Sequence, residues 1–442
     1  VRDELLGLPR GRDLDLIVDG PVKEAARAVA KEADEAVAFS LSDEFGAWRV
    51  VARSGAWHVD LNPLRGESIE ADLRLRDFTV NAIARPLEGG PAIDPLGGEA
   101  DLRAGLLRLA APTALRADPL RALRLVRLAC ELGFDVDAAA AVGARDAAGG
   151  LAAAAGERVY LELARVIASE RASDGIRLML ELGLCAVVLP ELEELRGIEQ
   201  SRFHHLDALD HTLAALDQVA ALERDGAGVL GPEFAPAVGA LLAEPLADEL
   251  TRGTALRLGA LTHDIAKART RTVLDGGQVR FPGHDELGAS MTRAILERLR
   301  AAERMRAHVA ALARNHLRLG FLVHEAPLGR REVYGYLDAC DAVAVDVTLL
   351  SVADRLATLG ERSEEAIARH LELARVLLRD ALAWHRDGRP APLVRGDVLA
   401  RALEIEPGPA LGELLAAIAR EAYAGTLRTP EDAVAFARER LA

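Results

Sequence analysis

Two aspartates one residue apart, Asp13 and Asp15, lie in the run Gly11-Arg12-Asp13-Leu14-Asp15-Leu16-Ile17-Val18-Asp19-Gly20. Leu14, Leu16 and Val18 alternate with Asp13, Asp15 and Ile17, and Asp19-Gly20 closes the run, so it reads as a short strand. Period-2 alternation puts both carboxylates on one face and is expected to anchor Leu14 and Leu16 in a core on the other. Adjacent carboxylates repel unless a cation sits between them. Mg²⁺ takes one or two carboxylates together with substrate phosphates. A paired-metal site of that kind clamps the attacking and leaving oxygens in nucleotidyl transfer. A solvated Asp-x-Asp at a sheet edge is the competing reading of the same spacing.

Further residues of the right type follow. Asp60, at the end of the strand-like run Ala56-Trp57-His58-Val59-Asp60-Leu61, is a candidate third carboxylate or a turn residue. In Arg76-Asp77-Phe78-Thr79-Val80-Asn81-Ala82, the Arg76 guanidinium could hold phosphate or ribose oxygens. Asp118-Pro119-Leu120-Arg121-Ala122-Leu123-Arg124 opens a helix, with Asp118 as N-cap and Pro119 in the first turn. Arg121 and Arg124 share a face there, and Asp118 with Arg121 could present a donor and an acceptor to a base edge. A second constellation begins past Gln200: His211, then His263-Asp264 with Lys267, then His284, His316 and Asp354. Imidazole and carboxylate together suit a divalent transition metal. Lys267 could assist a phosphate, although a solvated lysine is the expected role.

The elements that must position these groups are mostly helical. The chain has 442 residues, half of them apolar and 4% aromatic, with abundant Ala and Leu and few β-branched runs. Strands are expected at 13–18, 48–52 and 56–61, and helices at 21–36, 151–189 (ended by Pro190) and 361–379. A linker is expected over 384–395. A last helix is capped by Thr429 with Pro430 at its first position. The net charge of −15 excludes a generic polyanion binder and confines any nucleic-acid contact to a local basic strip. Cys130, Cys185 and Cys340 form no CxxC pair, and no long apolar run or signal peptide is visible. A cytoplasmic protein without membrane contact is expected.

Taken in order, Val1-Arg2-Asp3-Glu4-Leu5-Leu6-Gly7, Asp13-x-Asp15, Arg76-Asp77-Phe78-Thr79-x-Asn81-Ala82, Asp94-Pro95-x-Gly97-Gly98-x-x-Asp101-Leu102 and Asp118-Pro119-Leu120-Arg121-x-x-Arg124 resemble the motifs of the class II tRNA nucleotidyltransferase/poly(A) polymerase family. The resemblance covers about the first 135 residues. His211, His263, Asp264 and Asp354 match the ligand positions of the HD domain of metal phosphohydrolases, with His284 and His316 as further donors.

The resemblance implies an α+β, mostly helical protein. A small mixed-sheet, polymerase beta-like head over 1–112 would be followed by an all-α neck and body over 113–198. An HD domain over 199–385 and a helical tail over 396–442 complete it. It implies Mg²⁺ on Asp13 and Asp15, and Arg2 facing the triphosphate. Arg76 and Asp77 would select a ribonucleotide. Asp118, Arg121 and Arg124 would lie on the incoming nucleotide. The implied reaction adds C and A from CTP and ATP to the 3′ end of tRNA with no nucleic-acid template. CC-only, A-only and poly(A) addition remain open, as do an HD phosphohydrolase with a non-catalytic transferase half and a nucleotide-binding regulator. Relatives carry an apolar strand and a Gly-Gly pair before the first motif, so a truncated start and impaired activity are expected. The short segment 61–75 keeps a CC-adding specialist in view, and position 117 is Ala where relatives often have Glu.

Overall fold

A four-stranded mixed sheet positions the first constellation. Its strands are β1 (Asp13–Val18), β2 (Ala36–Ser42), β3 (Ala47–Ala52) and β4 (His58–Pro63), in the order β1-β4-β3-β2. Strands β1 and β4 run parallel, and the other pairs are antiparallel. The helix α1 (Val22–Glu32) covers one face, where its Val22 and Ala26 meet Val50 and Leu61. Burying side chains such as Val50 and Leu61 contributes about 1.5–3 kcal/mol each. Alternation then forces Asp13 and Asp15 onto the opposite, uncovered face.

The computed structural model describes residues 1–9, 11, 13–33, 35–42, 45–200, 205–359 and 363–441. They form two units, Val1–Ala154 with Glu181–Leu184, and Ala155–Leu180 with Cys185–Ala442. The expected α+β class holds, and helices dominate outside the sheet. No helix among the described residues is long and apolar enough to cross a membrane.

In the first unit, α2 (Ile69–Leu73) starts at Ser68, whose Oγ accepts from the Ala71 N–H at 3.2 Å. The helix α3 (Gly98–Ala104) is capped by Asp94, which accepts from the N–H groups of Gly98 and Glu99 at 2.7 and 2.9 Å. The helix α4 (Leu120–Leu132) carries Arg121 and Arg124. Gly98 lets α3 approach the Phe78–Asn81 turn: a Cβ there would sit 2.2 Å from the Thr79 carbonyl oxygen. The Thr79 hydroxyl in turn donates to Asp101 at 2.6 Å.

The second unit is a helical assembly. It contains α5 (Gly156–Ala168), α6 (Ala208–Arg224), α7 (Arg252–Thr262), α8 (His284–Arg298), α9 (Glu303–Asn315), α10 (Arg330–Cys340), α11 (Ala344–Ala357) and α12 (Ser363–Asp387). All of α7 is buried, so it forms the axis around which its neighbours pack. The tail helices α13 (Gly396–Leu403), α14 (Pro409–Tyr423) and α15 (Pro430–Leu441) share their own core of Leu399, Leu411, Leu414, Ile418 and Ala433. Thr429 and Asp432 form the expected capping box of α15: the Thr429 hydroxyl accepts from the Asp432 N–H at 3.1 Å, and the Asp432 carboxylate accepts from the Thr429 N–H at 3.0 Å.

Several local expectations are corrected. The helix expected over 21–36 stops at Glu32, and Ala36–Ser42 is a strand instead. Its Val37, Phe39 and Leu41 alternate with small residues, and all three are exposed, which hides the strand from a search for buried runs. Leu14 is exposed because β1 is a sheet edge, and of the two leucines it is Leu16 that packs against the core, together with Val18. The stretch 151–189 is broken into separate helices, and Pro190 opens the short helix Pro190–Glu193, where its missing N–H costs nothing. Pro119, not Asp118, is the N-cap residue of α4, although the Asp118 carboxylate still accepts from the Leu120 N–H at 3.2 Å. Trp384 belongs to α12 and packs against Tyr334 and Tyr423, so the linker begins at Gly388. The expected helix start at Glu361 lies outside the described residues.

Replacing Gly98 with Ala would drive a methyl group into the Thr79 backbone, which cannot retreat as a side-chain tip can. The expected cost is about 1–3 kcal/mol, an overpacking penalty. A lowered thermal midpoint of Gly98→Ala, measured by calorimetry, checks it, and an unchanged midpoint contradicts the packing described.

Candidate active site and metal centre

Register assembles the first site. Asp15 on β1 pairs with Asp60 on β4, Asp60 pairs with Arg49 on β3, and Arg49 pairs with Phe39 on β2. These side chains form one row across the uncovered face. The competing reading of Asp60 as a turn residue is set aside, since it lies within a strand beside Asp15. Arg49 grips Asp60 with two hydrogen bonds, at 2.6 and 2.7 Å. Asp15 is open to solvent, yet protein atoms crowd its carboxyl. That partial burial raises its pKa, and repulsion from Asp60 and Asp13 raises it further. The Arg76 charge pulls the other way. Gly11 leaves room for Asp13, since a Cβ at position 11 would lie 2.6 Å from Asp13 Oδ1.

An all-oxygen donor set with excess negative charge suits a hard cation such as Mg²⁺. Asp13 and Asp15 would hold it. Among the described residues, Asp13, Asp15 and Asp60 do not bring three donor atoms within 4.8 Å of one another. That openness matches an ion that takes the rest of its ligands from substrate and water.

The arginines beside this face are all engaged. Arg2 donates to Asn81 Oδ1 at 2.7 Å, and Asn81 Nδ2 donates to Asp77 Oδ1 at 3.0 Å. Asp77 also accepts from the Phe78 N–H at 2.8 Å and from Arg124 at 3.1 Å. Burial alone would raise the Asp77 pKa, but the Arg124 charge and these hydrogen bonds outweigh it and hold it below the ordinary carboxylate value. Arg76 donates to Asp72 at 3.2 and 3.0 Å. Arg121 donates to three backbone carbonyls, of Leu75 (3.1 Å), Arg76 (3.4 Å) and Ala114 (3.2 Å). Thus Arg2, Asp77 and Arg124 belong to one network, while Arg76 and Arg121 meet at the turn over residues 74–77. Sequence reasoning did not single out Arg49 or Asp72. Neither stands in a recognisable motif of its own, and only the register and the fold reveal their partners.

The second site lies where α6, the end of α7, the start of α8, the end of α9, and α11 converge. His211, His263 and Asp354 form one group of donors within 4.8 Å, and Asp264, His284 and His316 form another. The Nδ1 atoms of His263, His284 and His316 face the carbonyls of Ala260, Phe281 and Ala313 at 2.8, 2.7 and 2.7 Å. A carbonyl only accepts, so Nδ1 carries the hydrogen and Nε2 of each ring is turned inward. Those Nε2 atoms, and that of His211, approach carboxylate oxygens. His263 Nε2 lies 3.0 Å from Asp264 Oδ2, and His284 Nε2 lies 3.3 Å from Asp264 Oδ1. His211 Nε2 is 2.9 Å from Asp354 Oδ1.

Among the described residues the buried His263 Nε2 has no hydrogen-bond partner, and the nitrogen and oxygen donors of both groups converge as a divalent cation requires. The set therefore fits a divalent transition metal. Lys267 corrects the expectation of a solvated side chain: it is buried, 2.5 Å from Asp264 Oδ2 and 2.6 Å from Gln200 Oε1.

A sheet with paired carboxylates and a helical body holding an HD-type centre define a nucleotidyltransferase of the CCA-adding fold. Solved structures of a CCA-adding enzyme (apo form) and of the Thermotoga maritima CCA-adding enzyme complexed with tRNA superpose with TM-scores of 0.63 and 0.60, at 18% and 19% identity. Each match spans the whole of this chain, with 87% and 89% of the other. Residues 1–108 match the poly A polymerase head domain, 133–195 the probable RNA- and SrmB-binding site of polymerase A, and 239–359 the HD domain. The HD match begins after His211, which the structure nonetheless brings into the cluster. The A-adding tRNA nucleotidyltransferase of Deinococcus radiodurans is 37% identical, over 99% of this chain and 93% of that protein. The CC-adding enzyme of Thermus thermophilus is 35% identical, over 99% and 91%. The chain belongs to the class II tRNA nucleotidyltransferase/poly(A) polymerase family.

Asp77 supplies a pH test. Its folded-state pKa lies below the unfolded value of about 3.9, so its stabilisation is complete above that value and is lost as pH falls through the folded one. Asp77→Asn is expected to cost about 1.5–3 kcal/mol at neutral pH, the worth of hydrogen bonds to a charged group. The two proteins should converge in stability toward low pH. Parallel denaturation curves between pH 7 and pH 3 measure this, and a constant gap contradicts it.

Proposed function

We propose that this chain extends the 3′ end of tRNA with C and A from CTP and ATP. The observation that carries the reading is the Asp13/Asp15 pair beside Asp60 on the uncovered sheet face. Mg²⁺ held by Asp13 and Asp15 would lower the pKa of the attacking 3′-hydroxyl and stabilise the departing pyrophosphate. Arg76 binds oxygens of the nucleotide's sugar or phosphates. The Arg2–Asn81–Asp77–Arg124 network keeps two further guanidinium groups beside it. Asp118 and Arg121 present acceptor and donors to the base edge. In the conformation described, reading a base through Arg121 requires exchanging at least one of its three carbonyl partners for the base.

A specialist that adds only CC or only A is the second reading. It is favoured by the short connection between β4 and α2 and by the two relatives above, whose names state A addition and CC addition. The test is labelled CTP and ATP incorporation into tRNAs lacking CCA, ending in C, and ending in CC. Sequential C, C, A addition supports the first reading. Stopping after CC, or acting only on the CC-ended tRNA, supports a specialist. Asp13→Asn and Asp15→Asn should each abolish incorporation, and activity surviving both would refute the assignment.

For the HD centre we infer metal-dependent phosphoester hydrolysis. Divalent ions held by His211, His263, Asp264 and Asp354, with His284 and His316, would supply an activated water. Asp264 turns Oδ2 toward His263 and Oδ1 toward His284, so its two oxygens serve the two donor groups separately. His263→Ala and Asp264→Ala are expected to lower bound transition metal and to remove phosphate release while leaving nucleotide incorporation in place. Elemental analysis beside both assays decides it. Unchanged metal content in both variants would exclude the centre.

A further inference from the structure

Asp72 is a wholly buried carboxylate on a five-residue helix. Nothing in the packing of α2 asks for a charge there, and burying one is costly unless it is paired and hydrogen-bonded. Its oxygens divide between two tasks. Oδ1 accepts from Arg76 Nε and Nη2 at 3.2 and 3.0 Å. Oδ2 accepts from the Arg65 backbone N–H at 2.9 Å and lies 3.5 Å from Arg65 Nε. One edge of the planar Arg76 guanidinium is thereby fixed, which sets the plane and direction of the rest. Among the described residues Arg76 Nη1 has no hydrogen-bond partner. Arg76 remains partly exposed, and its charge reaches the Asp15 carboxyl. The same carboxylate pins the chain just beyond β4, the strand that carries Asp60.

We propose that Asp72 is a positioning residue for nucleotide selection: it aims the Arg76 guanidinium at the sugar of the incoming nucleoside triphosphate and ties that aim to the segment leaving β4. The proposal rests on the transferase reading given above. Arg76 carries the contact, and Asp72 acts only through it.

The test uses the full chain with a tRNA primer and CTP (ATP if only A is added). Asp72→Asn keeps the side-chain shape and removes the charge that orients Arg76. The KM for the nucleotide should rise about tenfold or more, the loss of a charge-assisted hydrogen bond, with a smaller change in kcat. The preference for CTP over dCTP should fall alongside it. In an Arg76→Ala background the same substitution should change neither quantity, since the group it positions is gone. Asp72→Glu, which keeps the charge but displaces it from the Arg76 guanidinium, should reproduce the loss of ribonucleotide preference and decides the matter if Asp72→Asn does not fold. Additive effects in the cycle, or an unaltered preference in both single variants, would overturn the proposal. A wild-type chain that incorporates no nucleotide overturns the transferase reading itself, and this proposal with it.

Discussion

Like charges gathered on one sheet face set the terms for the rest of the head. Asp13, Asp15 and Asp60 cannot be separated, because the period of the strands and the parallel pairing of β1 with β4 put them side by side. What the fold controls is the surrounding positive charge. Arg49 neutralises Asp60 from the neighbouring strand, and Arg76 reaches Asp15 while being anchored on Asp72. Arg124 is matched by Asp77. Arg49, Arg76 and Arg124 are thus each held by a carboxylate, Arg121 is held by backbone carbonyls, and the unbalanced negative charge is left at Asp13 and Asp15, the two of the three acids most open to solvent. A divalent ion carrying a triphosphate is complementary to that distribution.

The HD centre meets a related problem in the opposite setting. Its donors are buried apart from the partly exposed Asp354, so solvent screens the approach of the imidazoles to the carboxylates only weakly. The fold removes their freedom to avoid one another: three rings are fixed by carbonyls three residues earlier in their own chain segments. A ring held this way keeps its Nε2 turned toward the carboxylates. Orientation is therefore what suits the cluster to a cation. The head centre is open and depends on what arrives with the ion, whereas this one supplies nearly a complete shell from protein.

Chemistry-bearing positions were legible in the sequence wherever they fall within short ordered motifs. The Asp-x-Asp pair sits on the strand expected for it, whereas Arg76-Asp77 lies in a turn and His263-Asp264 just past the end of α7. Partner choice was not legible, because it is decided by chain crossings. Arg124 meets Asp77 across 47 positions, and Arg49 finds Asp60 only through strand register. Burial was misread where local polarity misled. Lys267 looked like a solvated residue and is buried because Asp264 and Gln200 give its ammonium partners. Strand β2 escaped notice because its apolar residues face outward, against the usual sense of the alternation.

The turn over residues 74–77 has a consequence for base choice. Its side chain at Arg76 is directed by Asp72, and its backbone carbonyls at Leu75 and Arg76 hold Arg121. The groups assigned to the sugar and to the base therefore hang from one short segment, and neither can shift far without the other. Each carbonyl bond to Arg121 contributes roughly 1.5–3 kcal/mol at most, as a hydrogen bond from a charged donor. A base edge that replaces one or two of them exchanges like for like, so the net energy separating alternative Arg121 orientations is small beside the gross energy of the bonds. On the reading proposed above, the firmness with which the 74–77 turn is held would bear on which base is favoured, and the buried contacts of the turn would matter beside the side chains that touch the nucleotide.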